Sequence, residues 1–160
     1  MNKKLLIIIL TSLMIVSCRN KEKVYEINTV ISNPVNTGKI KLKTTEQYIS
    51  ILYANLFQKA LSANKLVEIS ECIQSIGDQE IAHEVIISNF LNDPDIIIPT
   101  RAEMNINVDD FLEETYHRFY VRDITEAEKM YWKNIITAND SINPEMIYYA
   151  FALSDEYQYY

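Results

Sequence analysis

From Thr44 onward the apolar residues recur every three or four positions, and that spacing is written out twice. A stripe with a period near 3.6 residues is the face of an amphipathic helix, and it must be buried against another element. Thr44 and Gln47 have capping-box spacing and open a helix whose face is Ile49, Leu52, Tyr53, Leu56, Phe57 and Ala60. Ser62 starts a second helix with Leu66, Ile69, Cys72, Ile73 and Ile76, and Gly77 ends it, as glycine commonly does past a helix. Asp78 caps a third, carrying Ile81, Val85, Ile86, Phe90 and Leu91, and Asn92-Asp93-Pro94 stops it. Cys72, set among isoleucines, reads as a small core residue.

The second set begins after Asn107 with Phe111, Leu112, Thr115, Tyr116, Phe119 and Tyr120. Thr125 and Glu128 form another capping box, ahead of Ala127, Met130, Tyr131, Trp132, Ile135 and Ala138. Asn143-Pro144 is an N-cap followed by proline at the first helical position, and Ser154-Asp155-Glu156 can start a last turn. At an offset of 63, Tyr53 meets Tyr116, Phe57 meets Tyr120, Lys59 meets Arg122 and Ser62 meets Thr125; at 61, Ile86 meets Ile147 and Phe90 meets Phe151. Coincident caps and aromatics go beyond shared periodicity and predict an internal repeat. The expected fold is all-α: two three-helix units, 44–93 and 109–160, joined by 94–108 and packed into one helical domain.

The N-terminal stretch has a different character. Lys3 and Lys4 precede an apolar run from Leu5 to Val16, followed by small Ser17 and then Cys18. That is the layout of a secretory signal peptide, and the run is too short to span a bilayer. Ile15-Val16-Ser17-Cys18 resembles a bacterial lipobox. The resemblance implies that residues 1–17 are removed, that Cys18 is acylated, and that membrane lipid is the first partner. Arg19 stands where an aspartate would resemble an inner-membrane retention signal, which implies the outer membrane. The run after it lacks the acidic cluster that resembles a surface-export signal in Bacteroidota, so the periplasmic face is expected. Residues 18–43 read as a flexible basic linker, broken by Pro34 and Gly38, with Lys39-Ile40-Lys41-Leu42 alternating like a short strand.

Charge divides the same way. From Arg19 to Lys43 six basic residues face Glu22 and Glu26; from Thr44 to Tyr160 there are 7 basic and 20 acidic residues. Cations near anionic lipid each contribute roughly 1 kcal/mol, whereas an acidic body repels nucleic acid. No nucleic-acid partner is expected, and a protein partner would be basic.

The segment Phe111-Leu112-Glu113-Glu114-Thr115-Tyr116-His117-Arg118-Phe119-Tyr120-Val121-Arg122-Asp123-Ile124-Thr125, with Glu128, Trp132, Phe151 and Ser154-Asp155-Glu156-Tyr157, resembles a helical module of unknown function found in secreted bacterial repeat proteins. That module is similar to the phycobilisome linker domain. Its pattern is an aromatic–Arg–aromatic helix, a Gly-Arg-acidic-Pro-Thr turn, a Trp and a Ser-x-Glu-aromatic close. Here Val121 replaces the glycine and Ile124 the proline. The resemblance implies a non-catalytic helical scaffold or linker.

Chemistry-bearing patterns are thin. His83-Glu84 begins like a zinc-protease motif, but Ile87 stands where the second histidine belongs. Gly38 and Gly77 are the only glycines, too few for a phosphate-cradling loop. Asp93-Pro94-Asp95 starts like a calcium loop but runs into Ile96-Ile97-Ile98. No cofactor, metal or catalytic residue is expected. Asp109, Asp110, Glu113 and Glu114 suit a helix start and are candidate interface acids. Tyr157, Tyr159 and Tyr160 are candidate interface aromatics, since tyrosine joins apolar area to a polar tip. The expected function is that of a non-catalytic outer-membrane lipoprotein, a scaffold or tether in an envelope complex such as a Bacteroidota type VI secretion apparatus. The alternative is an inhibitor or immunity lipoprotein that binds a basic periplasmic toxin or lysozyme.

Overall fold

A computed structural model describes residues 39–160, and these are all-α. The signal peptide, Cys18 and the linker up to residue 38 lie outside the described residues. The helices are α1 Thr45–Phe57, α2 Ala63–Ser75, α3 Gln79–Leu91, α4 Arg101–Ile106, α5 Val108–Tyr120, α6 Glu126–Ala138, α7 Pro144–Leu153 and α8 Asp155–Gln158.

Each helix begins where a side chain can satisfy its free N–H groups. Thr44 and Thr125 close the capping boxes that their spacing predicts, and Ser62, Asp78 and Asn143 cap α2, α3 and α7. α4 is a helix within the expected connection 94–108. Thr100 and Glu103 box its start just as the other two pairs do, so its signal was present in a segment too short to show periodicity.

α1 and α5 are both 13 residues long, as are α2 and α6, while α3 and α7 part company at 13 and 10. α1 ends in left-handed Gln58 (φ 51°) and α5 in left-handed Val121 (φ 55°), again 63 positions apart. Gly77 follows α2 without a positive φ. Three matched positions also build an aromatic triad in each half. Tyr53, Phe57 and Phe90 have centroids 4.3–5.7 Å apart; Tyr116, Tyr120 and Phe151 lie 4.7–5.3 Å apart.

The halves share one core. α3 packs on α7, joining the third helices, and α8 packs against α5 and α7. Tyr48 of α1 donates its hydroxyl hydrogen to the Ala152 carbonyl at 3.1 Å. Asn55 donates to the Tyr157 hydroxyl at 3.0 Å. Each of these bonds ties the first half to the end of the second, so a buried phenol is satisfied only when both are in place.

Expectations about faces change in four helices. Ala60 lies past the end of α1 and is exposed, and α6 leaves Ala127, Met130, Tyr131 and Ala138 exposed while burying Ile136. Cys72 is exposed: α2 turns Ile69, Ser70 and Ile73 inward, and Cys72 points away from that stripe. Ile81 and Val85 are 51% and 42% exposed, because α3 buries Ala82, Ile86, Ile87 and Phe90 instead.

Candidate functional site

Among the described residues, the densest polar constellation lies where α5, α6 and α8 meet. Left-handed Val121 ends α5, its N–H bonded to the His117 carbonyl at 3.1 Å, and the next residue is Arg122. Its guanidinium lies 4.9 Å from the Tyr116 ring centroid and 5.5 Å from that of Tyr120. Nε and Nη2 donate to the two Glu156 oxygens at 2.7 and 2.8 Å. Nη1 and Nη2 donate to the two Glu128 oxygens at 3.0 and 2.6 Å, and Nη1 also reaches the Asp123 carbonyl at 3.0 Å. All five N–H groups of a guanidinium are thereby spent.

Each carboxylate has a second task. Glu128 closes the α6 capping box, accepting the Thr125 N–H at 2.9 Å and its hydroxyl at 2.7 Å. Glu156 lies in α8, which Ser154 caps; Ser154 Oγ accepts from the Tyr120 hydroxyl at 2.8 Å and donates to the Phe151 carbonyl at 2.7 Å. Trp132 Nε1 donates to the Tyr116 hydroxyl at 3.2 Å. The turn, the Trp and the Ser-x-Glu-aromatic close of the sequence pattern therefore form one clasp.

The charges reinforce it. Hydrogen bonds from Arg122 hold the Glu128 carboxyl down at about 2 and place that of Glu156 below the ordinary range. The two carboxylates, chiefly through their hydrogen bonds, raise the Arg122 guanidinium further. Burial pushes the Tyr116 and Tyr120 phenols up to about 12. A general acid–base pair needs one carboxyl poised near the working pH. Here both are ionised and occupied, and the guanidinium has no donor left for a substrate anion. The arrangement can hold two helices and a turn together.

A second structure builds on the clasp. Lys41 and Tyr160 exchange N–H to carbonyl bonds at 3.1 and 2.9 Å, and the Lys43 N–H reaches the Gln158 carbonyl at 2.9 Å. Leu42 and Tyr159 face each other as an antiparallel bridge. Lys39 Nζ stands 3.6 Å from Glu156 and 5.1 Å from the Tyr120 ring centroid. Lys43 donates to the Tyr157 carbonyl and, at 3.2 Å, to that of Tyr159. Burial lowers its ammonium to about 8. The last five residues of the expected flexible linker are thus fastened to the body.

The expected interface residues separate. Tyr157 is fully buried, with its ring 5.6 Å from Tyr48 and 5.5 Å from Phe119. It belongs to the core and offers no docking surface. Tyr159 and Tyr160 are 38% and 44% exposed, on the ribbon just described. Asp109 pairs with Lys133 at 2.8 Å and Glu113 with Lys129 at 2.7 Å, so these two acids bind α5 to α6. Asp110 accepts from the Asn107 side chain, and Glu114 is exposed. The acidic face is therefore thinner than the sequence suggests. Ser88, Leu91, Asn92, Glu145, Met146 and Tyr149 line an open groove of about 330 Å³ on the α3–α7 seam.

Sequence reasoning placed Arg122, Glu128 and Glu156 in one pattern but assigned them no joint role. The signal for it was the fixed spacing of one arginine and two capping-turn acids. The docked lysines were missed because a five-residue segment has too little pattern to show which face turns inward. Comparison with known protein families, with curated proteins and with solved structures finds no match.

Proposed function

We propose that the protein is a lipid-anchored tether: a non-catalytic outer-membrane lipoprotein whose helical body is held near the membrane through Cys18 to bind a partner in an envelope complex. A secretion apparatus is one such assembly. The observation that carries this reading is the attachment of residues 39–43. They are tied to the body by main-chain bonds to Gln158 and Tyr160 and by Lys39 and Lys43 side chains. A pull arriving from the Cys18 side would pass into the ribbon and from there to α8, which Arg122 fastens to α5 and α6. A loose connector needs no such joint. The lipobox resemblance at Ile15–Cys18 and the module's implied linker role point the same way.

The test is Cys18→Ser. The wild-type chain should fractionate with membranes and crosslink in intact cells to envelope proteins, and the variant should lose both. A soluble variant that keeps the same crosslinks would sink the tether reading. The inhibitor or immunity reading draws less support, since Asp109 and Glu113 are neutralised by Lys133 and Lys129.

A further inference from the structure

The ribbon at residues 39–43 is built inside out. In a short strand, alternate side chains take opposite faces. Here Lys39 and Lys43 turn toward the body, while Ile40 and Leu42 face solvent at 89% and 57% exposure. Tyr159, opposite Leu42 in the bridge, shares that outward face, because directly paired residues project to the same side. Lys41 and Tyr160, the next directly bonded pair, project to the other face of the ribbon, with the Lys41 ammonium 5.1 Å from the Tyr160 ring centroid. An exposed strand of a folded domain ordinarily puts its charges outward and its apolar side chains inward.

We propose that this apolar, tyrosine-edged face seats on the surface of an anionic bilayer, so that the body meets the membrane in one orientation. The inference rests on the tether reading, and three observations select lipid as the occupant. Twenty residues separate Cys18 from Lys39, and as a coil a chain of that length has a root-mean-square span of about 25 Å and a full extension of about 70 Å. The face therefore stays within that reach of the membrane that holds the anchor. Its chemistry is that of the bilayer interface: the aliphatic Ile40 and Leu42 to enter the headgroup boundary, Tyr159 at its edge, and Lys41 exposed on the other side of the same strand. Charge complements it as well. Three of the ten Lys and Arg residues of 39–160 lie within its first five positions, and all twenty Asp and Glu residues lie after them. An anionic surface attracts this end and repels the rest.

The test uses the full acylated chain with Cys72→Ser, so that an introduced cysteine is the only free thiol. An environment-sensitive fluorophore is placed at Ile40→Cys and, separately, at Ile106→Cys, which is 83% exposed on α4. The protein is reconstituted in vesicles of phosphatidylethanolamine and phosphatidylglycerol. The probe at position 40 should shift to the blue and be quenched by spin-labelled lipid, and the probe at 106 should remain as in water. Adding Lys41→Gln should weaken the seated population about fivefold, the effect of one surface lysine. Mass spectrometry of the Cys18 peptide reads the anchor separately. A chain without acyl groups overturns the tether reading and this inference with it. An acylated chain whose position 40 is quenched no more than position 106 overturns the inference alone. So does a position 40 shielded only when another envelope protein is added, which would make the occupant a protein.

Discussion

Lys59 occupies in the first half the position that Arg122 occupies in the second, and Asp95 stands where Glu156 stands. Both pairs form, and both cations lie near the matching aromatic, Lys59 5.6 Å from the Phe57 centroid. The turns behind the acids also agree. Asp93 bonds back to the Phe90 carbonyl at 3.2 Å as Ser154 does to that of Phe151, and Ile96 bonds to Asp93 as Tyr157 does to Ser154. The grip differs. Lys59 meets Asp95 through one contact at 3.6 Å, with side chains 52% and 73% exposed. Lys65 stands where Glu128 would supply the second carboxylate. Arg122 makes two forks, its side chain 17% exposed. A rigid planar donor set in a half-buried site loses little entropy per bond, whereas an exposed lysine pair contributes about 0–1 kcal/mol. The strong joint is found in the half that carries the ribbon.

The sharpest way to break this comparison is to empty the core beneath each turn. Tyr157→Ala should cost about 3–5 kcal/mol, as large buried aromatics do, and should lower the urea midpoint accordingly. Ile96→Ala, at the matching but only half-buried position, should cost about 1 kcal/mol. Equal losses would mean that the two turns bear equal weight.

The cations come next. Arg122→Ala should cost about 2–3 kcal/mol, since two part-buried carboxylates lose their partner, while Lys59→Ala should stay within about 0.5 kcal/mol. The pH dependence checks the cause. Glu128 and Glu156 titrate lower in the folded chain than when unfolded. The unfolded chain therefore takes up more protons as pH falls. Their contribution is complete above pH 4.5, the ordinary carboxyl value, and drains away toward about 2. Thermal melts between those limits should fall steeply for the wild type and much less for Arg122→Ala. Parallel slopes would rule out the clasp as the source.

The smallest effect is at the two left-handed caps. A β-branched residue at positive φ is strained by roughly 1–2 kcal/mol. Val121→Gly should therefore stabilise the protein by about 1 kcal/mol, after glycine's own entropy cost, and Gln58→Gly by less. A fall in melting temperature for Val121→Gly would show that the valine, though 84% exposed, contributes something beyond its backbone.

Much of this architecture could be read before folding because it is local. Capping pairs and apolar stripes act within one or two turns of helix, so Thr44, Ser62, Asp78, Thr125 and Asn143 marked their helix starts from spacing alone. Even Thr100–Glu103 carried the same mark, unread because six residues do not establish a period. Interiors were less legible, because a stripe gives a direction within some tens of degrees. Cys72 and Val85 sit at its margins, and only the neighbouring helix decides whether a margin is covered.

The sequence by itself determined where most helices start, the doubled spacing and the charge divide between residues 19–43 and the body. Tertiary structure alone decided that Arg122 faces two carboxylates, that Tyr157 lies in the core while Tyr159 and Tyr160 remain outside, and that Lys39 and Lys43 turn inward while Lys41 stays exposed. The reason is distance along the chain. Glu156 is 34 residues from Arg122, and Tyr157 is 114 from Lys43. No local propensity carries information over such separations; packing of the shared core brings those groups together.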